Sequence, residues 1–173
     1  MKNNQIVLID FLAFFKAGKF DYIKLGQTKE WIINNFPKPD AFKADFMLPK
    51  FQIWTYGVIE FHFDLENKLY LVFSDYLHKL NGGKQLTLKK WFFDDKNTLN
   101  LSYVLSKLNT ENIDYKKKTD KLGILIRLKS GIELTFENPS DYTDVIDNQE
   151  NTDFNDFILT SFSLIEENLL RWK

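Results

Sequence analysis

The chain has 173 residues, 44% of them hydrophobic and 27% charged, with no cysteine and a formal net charge of −1. A chain of this length buries roughly 70% of its unfolded surface, so one domain can fold without a disulfide or a metal. Thiol chemistry, thiolate zinc sites and Fe–S clusters are excluded, and no apolar run approaches the roughly 20 residues that span a bilayer.

Basic residues are 21 Lys and only 2 Arg. Arginine is the preferred fork for phosphates and base edges, so its scarcity argues against a nucleic-acid reader. The 17 Phe, 7 Tyr and 4 Trp exceed what one core of this size needs, which leaves rings for a partner. An AT-rich genome accounts equally for the abundance of Lys, Asn, Ile and Phe. The charge is unevenly distributed. Residues 1–129 hold 21 Lys/Arg against 14 Asp/Glu, whereas residues 130–170 hold 10 Asp/Glu and no cation. Such a split suggests an acidic surface that meets a basic partner, or a solvated face balanced by nearby lysines.

In chain order, the apolar stretch Ile6 to Phe15 comes first, interrupted by Asp10. It imitates a secretory leader, yet no small-x-small cleavage site follows, and a cytoplasmic location is the default. Ile6, Ile9 and Ala13, with Leu8, Phe11, Leu12 and Phe15, fall on helical spacings, which predicts a helix over about residues 4–16 ending near Gly18. Thr28 is a good N-cap for a second helix, with Glu30 in the first turn and Trp31, Ile32 and Phe36 as apolar positions. Pro37 and Pro39 stop it, and Asp40 to Pro49 reads as loop.

Residues 51–63 alternate. Phe51, Ile53, Ile59, Phe61 and Phe63 read as inward, and Gln52, Glu60, His62 and Asp64 as outward, with Gly57 marking a bulge or a break between two strands. The turn Asp64 to Asn67 leads into a returning strand, Leu69 to Phe73. Asn81-Gly82-Gly83 is a loop, and Leu86 to Trp91 fits either strand or helix. Thr98 or Asn100 caps a helix through Leu101, Val104, Leu105 and Leu108, and Asn112 to Lys118 reads as strand. Leu122–Leu128 and Ile132–Phe136 form a second hairpin across Lys129-Ser130-Gly131. Residues 138–156 read as an acidic loop, Phe157 to Leu164 is rich in β-formers, and Ile165 to Trp172 suits a short helix.

This order predicts one α+β domain over residues 1–173, an antiparallel sheet of two hairpin units with helices packed on one face. Each half, about 1–80 and 81–173, puts helix before hairpin, as a degenerate duplication would.

Four segments carry a resemblance. They are Leu25-Gly26-Gln27-Thr28 with its helix and Pro39-Asp40, Tyr56 to Phe63 (YGVIEFHF), Leu108 to Tyr115, and Ile126 to Phe136. Together they resemble a family of small bacterial proteins that sit beside secreted polymorphic toxins and look like immunity proteins. The first segment also resembles the helix-turn-helix and sheet module of β-lactamase-inhibitor-like and outer-membrane-assembly lipoproteins. Pro37 here replaces that module's glycine, and no lipobox cysteine is present, so a lipoprotein role does not carry over. The resemblance implies a cognate toxin domain as partner and transfers no catalytic residue.

Among single residues, His62 between Glu60 and Asp64 could serve as a general base or bind a metal, but no second histidine or nucleophile stands at a set spacing. Gly82-Gly83-Lys84 is too short for a phosphate loop, and no calcium-loop spacing occurs. No catalytic residue, metal or cofactor is therefore expected. The candidate partner-binding residues are the carboxylates Glu137, Asp141, Asp144, Asp147, Glu150 and Asp153 and the aromatic run Trp91-Phe92-Phe93, whose three rings cannot all point inward. The expected function is a non-catalytic protein binder, with no nucleic-acid or membrane partner, that occludes a toxin's active site. A small-ligand or lipid-binding module, or an enzyme centred on His62, are the alternatives.

Overall fold

The computed structural model describes residues 6–44, 52–94, 99–120, 123–139 and 156–165. Ten strands and three α-helices follow one another as β1 (Val7–Asp10), α1 (Phe11–Ala17), α2 (Lys29–Asn35), β2 (Ala41–Ala44), β3 (Gln52–Tyr56), β4 (Ile59–Phe63), β5 (Leu69–Ser74), β6 (Leu86–Lys89), α3 (Leu101–Thr110), β7 (Tyr115–Asp120), β8 (Gly123–Leu128), β9 (Ile132–Glu137) and β10 (Ile158–Ile165). Eight of the strands form one antiparallel sheet in the order β2-β3-β4-β5-β10-β9-β8-β7, and β1 pairs with β6 in a small parallel sheet. The fold is α+β. Among the described residues, no helix is long and apolar enough to cross a membrane.

Both hairpins lie in the large sheet, joined through β10, which pairs with β5 on one side and β9 on the other. The strand order reads alike from either edge: β2 to β5 run inward from one side and β7 to β10 from the other. A local device also recurs. Thr28 caps α2 by accepting from the Trp31 N–H, and Asn100 caps α3 by accepting from the Tyr103 N–H. The residue before each cap accepts from a sheet strand, Leu69 N–H to Gln27 and Leu159 N–H to Leu99. Each helix start is thus hydrogen-bonded to the last strand of its own half, so the caps fix where the helices cross the sheet.

The helices cover one face. Phe11, Phe14 and Phe15 of α1 meet Phe162 of β10 at ring-centroid distances of 5.6, 6.0 and 6.2 Å. Phe36, which ends α2, stacks on Phe61 and meets Tyr56 edge-on. Phe61, Tyr56, Phe162, Leu134 and Ile126 are almost wholly buried along these inward rows.

Three expectations need correction. The single helix over residues 4–16 is a strand followed by a helix, β1 then α1. Asp10, which seemed to interrupt an apolar stretch, is the N-cap of α1: its carboxylate accepts from the Ala13 N–H at 3.1 Å and pairs with Lys89 at 2.7 Å. The segment after Asp40 is partly strand, because β2 pairs with β3. Ile53 faces outward, opposite His62, while Trp54 and Tyr56 face inward. The two-residue turn Gly57-Val58 pairs Tyr56 with Ile59, so both side chains enter the core and the phase of β3 is set by its aromatics, Trp54 and Tyr56. The expected C-terminal helix at residues 165–172 falls, beyond Ile165, outside the described residues, as does most of the acidic loop at 138–156.

The hydrogen bond from Lys89 holds the Asp10 carboxyl below its ordinary pKa, with the Ala13 N–H adding to it and partial burial opposing. A carboxyl whose folded pKa is depressed contributes stability above its unfolded pKa and loses it as pH falls through the folded one. Asp10→Ala is expected to cost about 1 kcal/mol at neutral pH. The difference from wild type should narrow in acid, as urea unfolding at pH 7 and pH 3 would show.

Candidate functional site

The face opposite the helices is built by strand alternation alone. The register runs one row straight across it: Ala41, Thr55, Glu60, Phe73, Ser163, Glu133, Arg127 and Lys116, one residue from each of the eight strands. A second row holds Lys43, Ile53, His62, Leu71 and Ile165. A third holds Ser161, Thr135, Leu125 and Lys118. Eight strands spaced about 4.8 Å apart make this face about 33 Å wide.

One histidine–carboxylate contact and one ion pair sit on it. Glu60 and His62 are neighbours on the outward side of β4, with Nε2 and Oε2 2.8 Å apart. His62 is 9% exposed and flanked edge-on by Tyr70 and Phe73. Tyr70 reaches this side because the ladder slips by one residue between His62 and Phe63. Across the hairpin β8–β9, Arg127 donates from Nη1 to the Glu133 carboxylate at 3.0 Å. That pair is more enclosed, the side chains 17% and 5% exposed. Between the two pairs stand half-buried Phe73 and Ser163. The arrangement is a rigid, mixed surface: apolar Ile53, Leu71, Phe73 and Ile165 among oriented charges.

Asp64, expected beside His62, is taken up elsewhere. Its carboxylate accepts from the N–H groups of Glu66 and Lys68 and closes the β4–β5 turn. No three His, Asp or Glu side chains converge as a metal-ligand set among the described residues.

Of the sequence-predicted partner residues, Glu137 ends β9 and shares its outward side with Glu133 and Thr135. Asp141, Asp144, Asp147, Glu150 and Asp153 lie outside the described residues. Trp91, Phe92 and Phe93 form a 3-10 turn packed on α1: Phe15 contacts Trp91 and Phe92, and Phe11 contacts Phe93 at 5.5 Å. Phe92 is 1% exposed, while Trp91 and Phe93 are half-buried. Phe93 also meets Phe162, so the run belongs to the helix side and Glu137 to the opposite side. The Arg127–Glu133 pair escaped the sequence reading. Its signal was present, since the two residues flank the Lys129-Ser130-Gly131 turn symmetrically and the chain has only 2 Arg.

The Lys116-Lys117-Lys118 run lies on β7, the outer strand of the sheet. Charges on this edge strand oppose pairing with a further chain; the other edge is β2. No family model, no curated protein and no solved structure matches this chain.

Proposed function

We propose that the protein is a non-catalytic binder of another protein, most concretely a cytoplasmic immunity protein that neutralises a bacterial toxin by covering its active site. The observation that carries this reading is the sheet face opposite the helices, where half-buried Ile53, Leu71, Phe73 and Ile165 lie among polar groups. Aromatic, aliphatic and Arg side chains on a preorganised surface are the composition of a protein-binding patch. A face of this width is on the scale of the roughly 800 Å² that each partner buries in a standard complex. The carboxylates after Glu137 add charge suited to a basic cleft, where they would speed encounter more than tighten the complex. Nothing in this mechanism needs a reaction on the binder; it needs a surface that changes little when the toxin arrives.

The test starts from the neighbouring genes: where one encodes a large secreted protein with a variable C-terminal domain, that domain is co-expressed with this chain. Cells carrying both should survive, and survival should persist with no added cofactor. Death at equal expression of both would overturn the reading. The close Glu60–His62 contact favours a second reading, an enzyme centred on His62. His62→Gln separates the two when binding is read beside protection: a binder loses protection only as far as it loses affinity for the toxin domain, and an enzyme loses protection at unchanged affinity.

A further inference from the structure

A cleft of about 430 Å³ opens where the end of α1 meets the β8–β9 turn and the last residues of β10. Its lining includes Lys19, Lys24, Arg127, Lys129 and Ser130 and, among the described residues, no carboxylate. The sequence brings these cations together through two tight turns. Phe20 and Ile23 exchange backbone hydrogen bonds at 2.9 and 3.0 Å, with Asp21 in the left-handed region at φ 58°. Phe20 and Ile23 are wholly buried, so the flanking Lys19 and Lys24 are sent to the other side, opposite one another. The Lys24 N–H is fixed by the Gln27 side chain at 2.9 Å. The second turn closes through the Gly131 N–H to the Leu128 carbonyl and presents Lys129 and Ser130. The two turns abut, because a Cβ at Gly18 would collide with the Ser130 carbonyl oxygen.

Like charges placed opposite one another weaken a hairpin. Among the described residues, neither Lys19 nor Lys24 has an ion-pair partner. Lys129 has only a 3.8 Å contact with Asp114, both side chains about 80% exposed, which contributes little. Arg127 is already held by Glu133. The Ser130 hydroxyl is buried, without a hydrogen-bond partner among the described residues, and is not exposed in the cleft. Lys19, Lys24 and Lys129 around one cleft suit a multiply charged oxyanion with several acceptor oxygens better than a single carboxylate.

We propose that this cleft binds the phosphate group of a small ligand, with Lys19, Lys24 and Lys129 supplying the charge. It adjoins the sheet face through Arg127 and Ile165, and its test uses no protein partner. The test is titration of the whole chain with inorganic phosphate, followed by amide chemical shifts, against sodium acetate and sodium chloride at matched ionic strength. Phosphate should give saturable shifts confined to residues 18–24 and 129–131, and acetate should bind weaker by about tenfold. Lys24→Gln with Lys129→Gln should weaken phosphate by about tenfold or more, with the rest of the spectrum unchanged because both side chains are exposed. Ser130→Ala should leave it unchanged, because that hydroxyl is buried away from the cleft. Shifts that do not saturate, that acetate or chloride reproduces, or that survive the double substitution would overturn the proposal.

Discussion

Phe162→Ala is expected to destabilise the protein by about 3–5 kcal/mol, the range for deleting a buried ring and leaving a cavity. Phe162 is wholly buried, and four phenylalanines close on it: Phe11, Phe14, Phe15 and Phe93, at centroid distances between 5.6 and 6.2 Å. Edge-on ring pairs add to the area term, so alanine loses both. The position matters as much as the burial. Phe162 stands on β10 and pairs with Ser74 of β5 on one side and Leu134 of β9 on the other. The ring therefore fastens α1 to the strand that joins the two hairpin units. Urea unfolding should show a lower midpoint with a similar slope. Phe42→Ala is the control: Phe42 is 55% exposed on the edge strand β2, and its loss should cost well under about 1 kcal/mol. Equal costs at the two positions would show that Phe162 is not the packing centre described here.

Arg127→Ala should cost about 3–5 kcal/mol, because it strands the Glu133 carboxylate, 5% exposed, without its cation. The loss measures an uncompensated charge rather than the worth of the pair. Replacing both residues, Arg127→Leu with Glu133→Leu, should therefore recover most of the stability, since well-packed apolar groups often match a buried ion pair. A double-mutant cycle by chemical denaturation reads this directly. Additive losses in the double variant would mean that the two side chains act independently. The cycle also bears on the open face. The pair occupies the sixth and seventh places of the row that crosses all eight strands, and a leucine pair there should leave the fold intact while removing both charges from that row.

Much of the fold could be read from alternation and punctuation. The Lys129-Ser130-Gly131 turn is flanked by residues of period two, and Gly131 takes the positive φ of 94° that the turn needs. Thr28 and Asn100 behave as caps because a short polar side chain before an apolar run has few other uses. The errors share one cause, which is that partners distant in sequence decided between local options. Residues 7–10 suit helix or strand by spacing, and pairing with Leu86 to Lys89 makes them strand. Ile53 suits an inward position, yet Trp54 and Tyr56 bury more surface and take the inner phase.

The site was less legible than the fold. Acidic clusters and aromatic runs are visible along a sequence, whereas a sheet face is assembled from every second residue of eight strands. Glu60, Phe73, Glu133 and Arg127 lie far apart in the chain and become neighbours only through the register. The aromatic run Trp91-Phe92-Phe93 reads as surplus in the sequence because its neighbour, α1, brings its own phenylalanines from much earlier in the chain.

The central claim is that the open sheet face is the docking surface. The direct measurement is the affinity of the toxin domain for three forms of the protein: wild type, Leu71→Glu with Phe73→Glu on the open face, and Trp31→Glu on α2. Trp31 is 39% exposed on a helix, so its variant tests charge without touching the face. The account predicts that the face variant loses at least about a hundredfold in affinity, as loss of a central anchor does, with its melting temperature close to wild type. The helix variant should bind as wild type does. Full affinity in the face variant, with or without loss in the helix variant, would contradict the account.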